Sequence, residues 1–302
     1  MDNLSDLDTR LLVDLLRDKA KPNKSLGQNF LIDDDVISRS VEIPEEFDFP
    51  LSEASHVLEI GPGSGSLTLS LLRKGARVSA IEIDNNSIEH LERVFGDRGC
   101  NLSIIESDAV SVDWPLGITH VISNLPYQAS SPIIDRIMRY HSSSSISLSV
   151  LLVQEEFAHR MAMTSAPYDL GPLGLNLWLD FEIYVDRKVH SNSFSPSPKV
   201  KSRMVVLKPI SRPEVLGINK RLFRIITKHC FSNRRKKMRT LLSVPPNRIS
   251  RVSGWHRDRW SSSVSRLIES GSTNIKQDWL NLRPENFEPS DWLSITREIE
   301  GE

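Results

Sequence analysis

Apolar positions along the chain change their spacing twice. Leu7, Leu11, Leu12, Leu15 and Leu16 recur at helical intervals, which predicts an amphipathic helix within the first twenty residues, ended by Pro22. From residue 56 onward, short apolar runs alternate with amphipathic stretches. Residues 56–60, 77–83, 102–106, 118–122 and 147–153 read as buried strands, and residues 67–72, 85–95, 132–139 and 155–163 as helices. Strands alternating with helices predict an α/β fold with a parallel sheet covered on both faces. Residues 181–189 and 204–207 read as two late strands that complete the sheet. Beyond Pro209 the period is helical again, over residues 215–230, a basic stretch at 234–242 and residues 260–268, punctuated by Pro213, Pro245 and Pro246. The expected organisation is an α/β domain over residues 1–209 and a small all-helical domain over 210–302, without internal repeats.

Candidate chemistry collects where strands are expected to end. Gly61, Gly63 and Gly65 follow the first buried strand directly and precede a helix, a setting where glycine allows a sharp turn and close approach of a ligand to the backbone. A plain tight turn would use the same residues. The spacing is G-x-G-x-G with Pro62 inside it, shorter than the dinucleotide pattern that meets a pyrophosphate. Glu82 closes the next strand, where an acid can accept from ribose hydroxyls, and Asp108 follows the third, placed to accept from an adenine amino group. A donor with a ribose and an adenine but no pyrophosphate fits this edge better than a nicotinamide dinucleotide does. After the fourth strand come Asn124, Leu125, Pro126 and Tyr127. A side-chain amide, rigid backbone carbonyls and a flat ring suit the holding of a planar base by its amino group, although a proline turn with a tyrosine capping the core has the same composition.

Composition narrows the class. The chain has 302 residues with 39% hydrophobic and 25% charged residues, enough for a sizeable core. The net charge of -1 gives no global attraction to nucleic acid, but residues 186–260 carry many Lys and Arg against only Asp186, Glu214 and Asp258. That asymmetry predicts a local anionic partner. Cys100 and Cys230, far apart, make neither a disulfide framework nor a zinc site. The polar start of the chain is unlike a signal peptide, and no apolar run is long enough to span a membrane. A cytoplasmic, monomeric protein is expected. Asp33, Asp34 and Asp35 read as a helix cap with first-turn acids, not as a metal site. His56, His120 and His159 have no carboxylate or nucleophile at a suggestive spacing, and no metal is expected. Trp255, Trp260, Trp279 and Trp292 read as core or interface anchors.

Several motifs then occur in order: residues 24–31 (KSLGQNFL), 59–65 (EIGPGSG), 81–84 (IEID), 107–109 (SDA), 124–127 (NLPY), 194–200 (FSPSPKV) and 231–236 (FSNRRK). The ordered set resembles the small-subunit ribosomal RNA adenine dimethyltransferases, from about residue 24 to residue 242. The resemblance implies a class I methyltransferase, Rossmann-like sheet with a C-terminal helical domain. It also implies S-adenosylmethionine as donor, and as substrate two adjacent adenosines near the 3′ end of small-subunit rRNA, met in immature small ribosomal subunits. Asn29, Leu31, Gly61, Gly63, Glu82, Asp108 and Asn124 match cofactor-binding positions, with residues 28–30 closing over the donor. Relatives acting on large-subunit rRNA usually differ at Pro62 and carry Ile where Leu125 stands, which favours the small-subunit reading. The tail after Pro245 has no counterpart in the motif set, and residues 190–192 replace a more proline-like lead-in.

On this reading Asn124 Oδ1 and the Leu125 carbonyl accept the two N–H bonds of the target amine. Pro126 fixes the turn, and Tyr127 and Phe194 stack on the base. Arg234, Arg235, Lys236, Lys237 and Arg239, with Lys199, Lys201 and Arg203 as a second patch, are the expected RNA backbone contacts. Two other functions share parts of this pattern: a ribosome-assembly or nucleic-acid-binding factor whose methylation is dispensable, and a DNA adenine methyltransferase.

Overall fold

The structure is a computed structural model that describes residues 4–23, 26–98, 100–271 and 274–301. The chain forms two compact units, Met1–Ala158 with Ile183–Pro209, and His159–Glu182 with Ile210–Glu302. The stretch 159–182, counted with the α/β domain on sequence grounds, clusters with the C-terminal helices.

In the first unit the strands are β1 (Phe30–Leu31), β2 (His56–Ile60), β3 (Arg77–Glu82), β4 (Leu102–Glu106), β5 (His120–Asn124), β6 (Leu148–Gln154), β7 (Phe181–Val189), β8 (Phe194–Ser195) and β9 (Ser202–Pro209). β7 begins two residues before the unit boundary. The helices are α1 (Thr9–Arg17), α2 (Asp34–Glu46), α3 (Ser66–Arg73), α4 (Asn85–Phe95), α5 (Ser130–Ser143) and α6 (Glu155–Ala162), the last running on into the second unit. Seven strands form one sheet in the order β4-β3-β2-β5-β6-β9-β7. β4, β3, β2, β5 and β6 pair in parallel, and β9 joins β6 antiparallel. The long apolar runs have their cause here: a parallel strand covered on both faces has no solvent side to alternate towards. β2 is buried at all five positions, and Val57, Leu58, Val78, Ala80 and Val121 are fully buried.

Because β2 to β5 run in parallel, their carboxyl ends share one edge, the usual ligand crevice of open α/β sheets. Backbone bonds continue just past the strands and lock that edge. Gly61 N donates to Ile81 O at 2.9 Å, Ser107 N to Glu82 O at 2.9 Å and Leu125 N to Leu152 O at 3.0 Å. Asp33 caps α2, accepting from Asp35 N at 3.1 Å and Val36 N at 3.3 Å, with Asp34 and Asp35 in the first turn. Local capping therefore explains that acidic run.

β1 and β8 form a separate two-stranded antiparallel ladder, with Leu31 opposite Phe194 and Phe30 opposite Ser195. Two-residue strands carry no periodicity, so the pattern of the chain gives no sign of this pairing.

The second unit contains α7 (Pro172–Trp178), α8 (Lys220–Phe231), α9 (Met238–Leu242), α10 (Arg257–Ser270) and α11 (Pro289–Glu300). Its core includes Trp255, Trp260, Trp279 and Trp292, all buried, so the tryptophans are core anchors. The basic stretch is not one helix from residue 234, as expected, but a turn at 232–237 followed by the short α9. Lys236 N donates to Asn233 O at 2.8 Å, closing the turn.

Candidate active site

A cavity of about 350 Å³ opens at the carboxyl edge of the sheet. Its walls come from residues 26–31, 59–64, 81–83, 107–110 and 124–129, so the glycine turn, both acids and the Asn-Leu-Pro-Tyr turn face one space. Lys24 and Ser25, which open the first motif, lie outside the described residues.

Gly63 has φ +55°, and a Cβ there would meet the Phe30 ring at 2.8 Å. The backbone thus lies flat against Phe30 with no room for a side chain. Gly65, at φ +81°, serves packing instead: a Cβ would strike Leu91 and Phe95 at 2.8 Å, where α3 meets α4.

Glu82 is 5% exposed, and its carboxylate is held by three backbone amides. Oε1 accepts from Ile83 N at 2.8 Å and Asp84 N at 3.0 Å, and Oε2 from Gly63 N at 3.1 Å. A carboxylate has about four acceptor sites, so capacity remains for a hydroxyl donor. Burial pushes its pKa up and the three amides pull it down, with a net rise. Asp108 is exposed; Oδ1 accepts from Val110 N at 2.8 Å, and Oδ2 has no partner among the described residues. Ile83, 51% exposed, adds an apolar wall.

Glu59 also lines the cavity and had no role on sequence grounds. It is 2% exposed and accepts from Thr68 Oγ1 at 2.6 Å. Burial, with a smaller contribution from the neighbouring Glu82 charge, raises its pKa to about 8 against the Thr68 bond, leaving it uncharged at neutral pH. An acid within the apolar run 57–60 was the signal available.

At the far side, Asn124 Nδ2 donates to the Asn29 carbonyl at 3.1 Å, and Asn29 Nδ2 donates to Gly27 O at 2.8 Å. This fixes the Asn124 amide with its oxygen as the remaining group. Neither Asn124 Oδ1 nor the Leu125 carbonyl has a partner among the described residues. The Leu125 side chain is 1% exposed and anchors the turn. The Pro126 carbonyl accepts from Ala129 N at 3.0 Å and Ser130 Oγ at 3.2 Å, starting α5. Tyr127 Oη lies 2.6 Å from Ser202 Oγ on β9, a fully buried residue. Burial pushes the Tyr127 hydroxyl up, so it stays neutral and its ring is pinned.

Phe194 is a correction. Its ring is 2% exposed, lies in the core cluster with Leu31 and is not among the cavity-lining residues. Its place opposite Leu31 makes it a support for the wall formed by residues 29–31. Asn29 and Leu31 themselves line the cavity. His56, His120 and His159 do not. Among the described residues no cluster of His, Cys, Asp or Glu is arranged to hold a metal, and no helix is long and apolar enough to cross a membrane.

The cations divide into engaged and free. Arg203 bonds Glu155 Oε1 at 3.1 Å, and Arg234 bonds Glu285 at 2.9 Å. Lys237 and Arg239 both donate to Asn281 Oδ1, the former at 3.4 Å. Arg235 and Lys236 are exposed, with no side-chain partner among the described residues, and Lys199 and Lys201 are also exposed.

Comparison with known proteins bears on this arrangement. The profile of the family described as ribosomal RNA adenine dimethylase matches residues 19–253. A Thermococcus gammatolerans protein described as a probable ribosomal RNA small subunit methyltransferase A is 37% identical over 220 residues, covering 73% of this chain and 75% of the relative. The Lactobacillus acidophilus ribosomal RNA small subunit methyltransferase A is 34% identical over 244 residues, covering 75% and 80%. Among solved structures, a dimethyladenosine transferase from Plasmodium falciparum superimposes with a TM-score of 0.69 at 24% identity, covering 88% of this chain and 95% of its own. The 23S rRNA methyltransferase ErmE gives 0.63 at 23% identity, covering 90% and 100%. These structural likenesses establish the class I methyltransferase fold.

Proposed function

From the premise that the chain belongs to the ribosomal RNA adenine dimethylase family, we propose that it dimethylates two adjacent adenosines near the 3′ end of small-subunit rRNA during ribosome biogenesis. It is an S-adenosylmethionine-dependent rRNA adenine dimethyltransferase. The finer reading covers its substrate stage, immature small subunits, and its action as a monomer in the cytoplasm. One observation carries the assignment of roles: two acceptors, Asn124 Oδ1 and the Leu125 carbonyl, stand without partners among the described residues on the wall of the same cavity that holds the glycine turn and Glu82.

The residues present fit the donor. Gly61, where a Cβ would meet nothing closer than Pro126 Cδ at 3.8 Å, offers bare backbone to the cavity, Glu82 keeps acceptor capacity for ribose hydroxyls, and Asp108 Oδ2, without a partner among the described residues, can accept from an adenine amino group. Ile83 offers an apolar face to the ring, and Asn29 and Leu31 form the opposite wall. When bound, S-adenosylmethionine supplies an electrophilic methyl group on a cationic sulfur, which acid-lined walls tolerate.

The target's exocyclic amine is a weak nucleophile because its lone pair is delocalised into the ring. Accepting both N–H bonds at Asn124 Oδ1 and Leu125 O turns the nitrogen towards a pyramidal geometry and stabilises the positive charge it gains. Fixing that nitrogen in place supplies the proximity contribution. The nitrogen sheds its proton only after becoming cationic, so an amide suffices where a base would otherwise be sought. Tyr127, pinned by Ser202, offers its ring face to an unpaired or flipped-out base. Exposed Lys199, Arg235 and Lys236, without side-chain partners among the described residues, and exposed Lys201 are placed to meet phosphates, while Arg203 and Arg234 brace the protein.

The test is reaction of the purified protein with immature small subunits and labelled S-adenosylmethionine, followed by mapping of the modified nucleotides. Two adjacent dimethyladenosines near the rRNA 3′ end are expected. Absence of donor binding, or preferential labelling of duplex DNA, overturns the assignment.

A further inference from the structure

One aromatic ring in the second unit has no place in the core or in the reaction described above. Tyr168 is 82% exposed, while Leu170, two residues on, is 7% exposed and belongs to the helical core. The loop that carries the ring is tied down. Tyr168 N and Asp169 N both donate to Ser165 O, at 2.8 and 3.2 Å, Thr164 N donates to His159 O at 3.3 Å, and Thr164 Oγ1 donates to Asp169 Oδ2 at 3.3 Å. Arg234 Nη2 then donates to the Pro167 carbonyl at 3.2 Å, joining this loop to the basic turn. Arg234 is itself held by Glu285 at 2.9 Å, so its charge is spent within the protein. Next in sequence after the two residues joined by that bond come Tyr168 in the loop and Arg235 in the turn. Arg235 and the following Lys236 are exposed, without side-chain partners among the described residues.

We propose that Tyr168 is a stacking platform for an unpaired rRNA base whose flanking phosphates are met by Arg235 and Lys236. The proposal rests on the rRNA-modifying function given above and adds a contact in the second unit. Three features carry it. A tyrosine has few rotamers to lose, so it offers large contact area at low entropic cost. The loop beneath it is already ordered, so base binding need not order backbone. Its neighbour in the junction presents free positive charge, the pairing of ring and cation that holds single strands. A duplex offers no free base face, so the occupant is a single-stranded segment. Arg234 has a defined part here as the brace between loop and turn, not as a phosphate contact.

The two kinds of contact are separable by salt. Stacking is not electrostatic, whereas each phosphate neutralised on a single strand contributes about 0.7 to the slope of log K against log salt. The experiment titrates the full-length protein with a fluorescent transcript of the small-subunit rRNA 3′ region over a range of KCl. It uses the unchanged protein, Tyr168→Ala, Tyr168→Phe and Arg235→Ala/Lys236→Ala, with S-adenosylmethionine binding measured on each. Tyr168→Ala is expected to weaken RNA binding roughly 5- to 100-fold at every salt concentration, with the slope and donor affinity unchanged. Tyr168→Phe should bind like the unchanged protein, and the paired Arg235 and Lys236 change should lower the slope by about 1.4. On a short oligonucleotide annealed to its complement, Tyr168→Ala should have no effect.

Unchanged affinity in Tyr168→Ala alongside a lowered slope in the Arg235 and Lys236 variant overturns the stacking platform and leaves the RNA-modifying function standing. A loss in Tyr168→Phe equal to that in Tyr168→Ala assigns the contact to the hydroxyl and also overturns it. If the unchanged protein does not bind the transcript, the rRNA assignment fails instead.

Discussion

On one side of the cavity Glu82 gives both carboxylate oxygens to three neighbouring amides; on the other, Asn124 Oδ1 and the Leu125 carbonyl have no partner among the described residues. Both regions sit at strand ends of one parallel sheet, and both are made of polar groups largely removed from water. The difference is in what is left over. The donor wall is a finished structure whose hydrogen bonds hold the glycine turn in shape, with spare capacity only at its margins. On the proposed reading the other wall is left incomplete, its two acceptors open to a bound amine. On that reading a satisfied group positions, and an unsatisfied one is kept for substrate. The same distinction sorts the cations, with Arg203 and Arg234 engaged and Arg235 and Lys236 without side-chain partners among the described residues.

The largest expected effect tests which side Phe194 belongs to. As a buried core ring opposite Leu31, Phe194→Ala should cost about 3–5 kcal/mol of stability, read as a lowered denaturant midpoint. Residual activity should follow the folded fraction. Unchanged stability with a selective loss of methyl transfer would return Phe194 to the target wall.

Glu59 probes the donor side. Its folded-state pKa of about 8 lies above the ordinary 4.5, so the folded protein holds the proton more tightly than the unfolded chain does. Its contribution to stability is full below about pH 4.5 and is lost as pH rises through about 8. Glu59→Gln should remove that decline, which is on the order of a few kcal/mol, and unfolding curves measured at mildly acidic and alkaline pH show it. Identical pH dependence in the two proteins would mean that Glu59 is charged in the fold.

The smallest effect concerns Ser202. Losing one hydrogen bond of about 1 kcal/mol, Ser202→Ala should lower kcat roughly fivefold by freeing the Tyr127 ring, with donor affinity unchanged. In a Tyr127→Phe background the same substitution should add nothing. Additive losses would show that Ser202 acts elsewhere.

Much of this arrangement was legible in the chain, for physical reasons that differ by element. β2 and α4 fall where the apolar pattern puts them, because a fully buried parallel strand and an amphipathic helix imprint their environments on consecutive residues, and the edge strand β4 falls where its short apolar run predicts. The glycine turn, Glu82, Asp108 and Asn124 were visible because a parallel sheet delivers its strand ends to one edge. What was not legible depends on partners distant in sequence. The β1–β8 ladder, which buries Phe194, is too short for a period. Charge alone does not reveal that Glu155 and Glu285 occupy Arg203 and Arg234. The stretch 159–182 reads as a continuation of the alternating pattern and is assigned to the helical unit only by its contacts. Glu59 was in plain view, yet only its complete burial shows that it is held as a neutral acid.

The central claim is that the target amine is oriented by two reserved acceptors and not deprotonated by a base. Its most direct test is single-turnover methyl transfer by Asn124→Ala, with RNA binding measured on the same preparation. The expected result is a fall in rate on the order of a hundred- to a thousandfold, with RNA affinity within about twofold of the unchanged protein. Loss of RNA binding in the same proportion as the rate, or a rate that stays near normal, would contradict it.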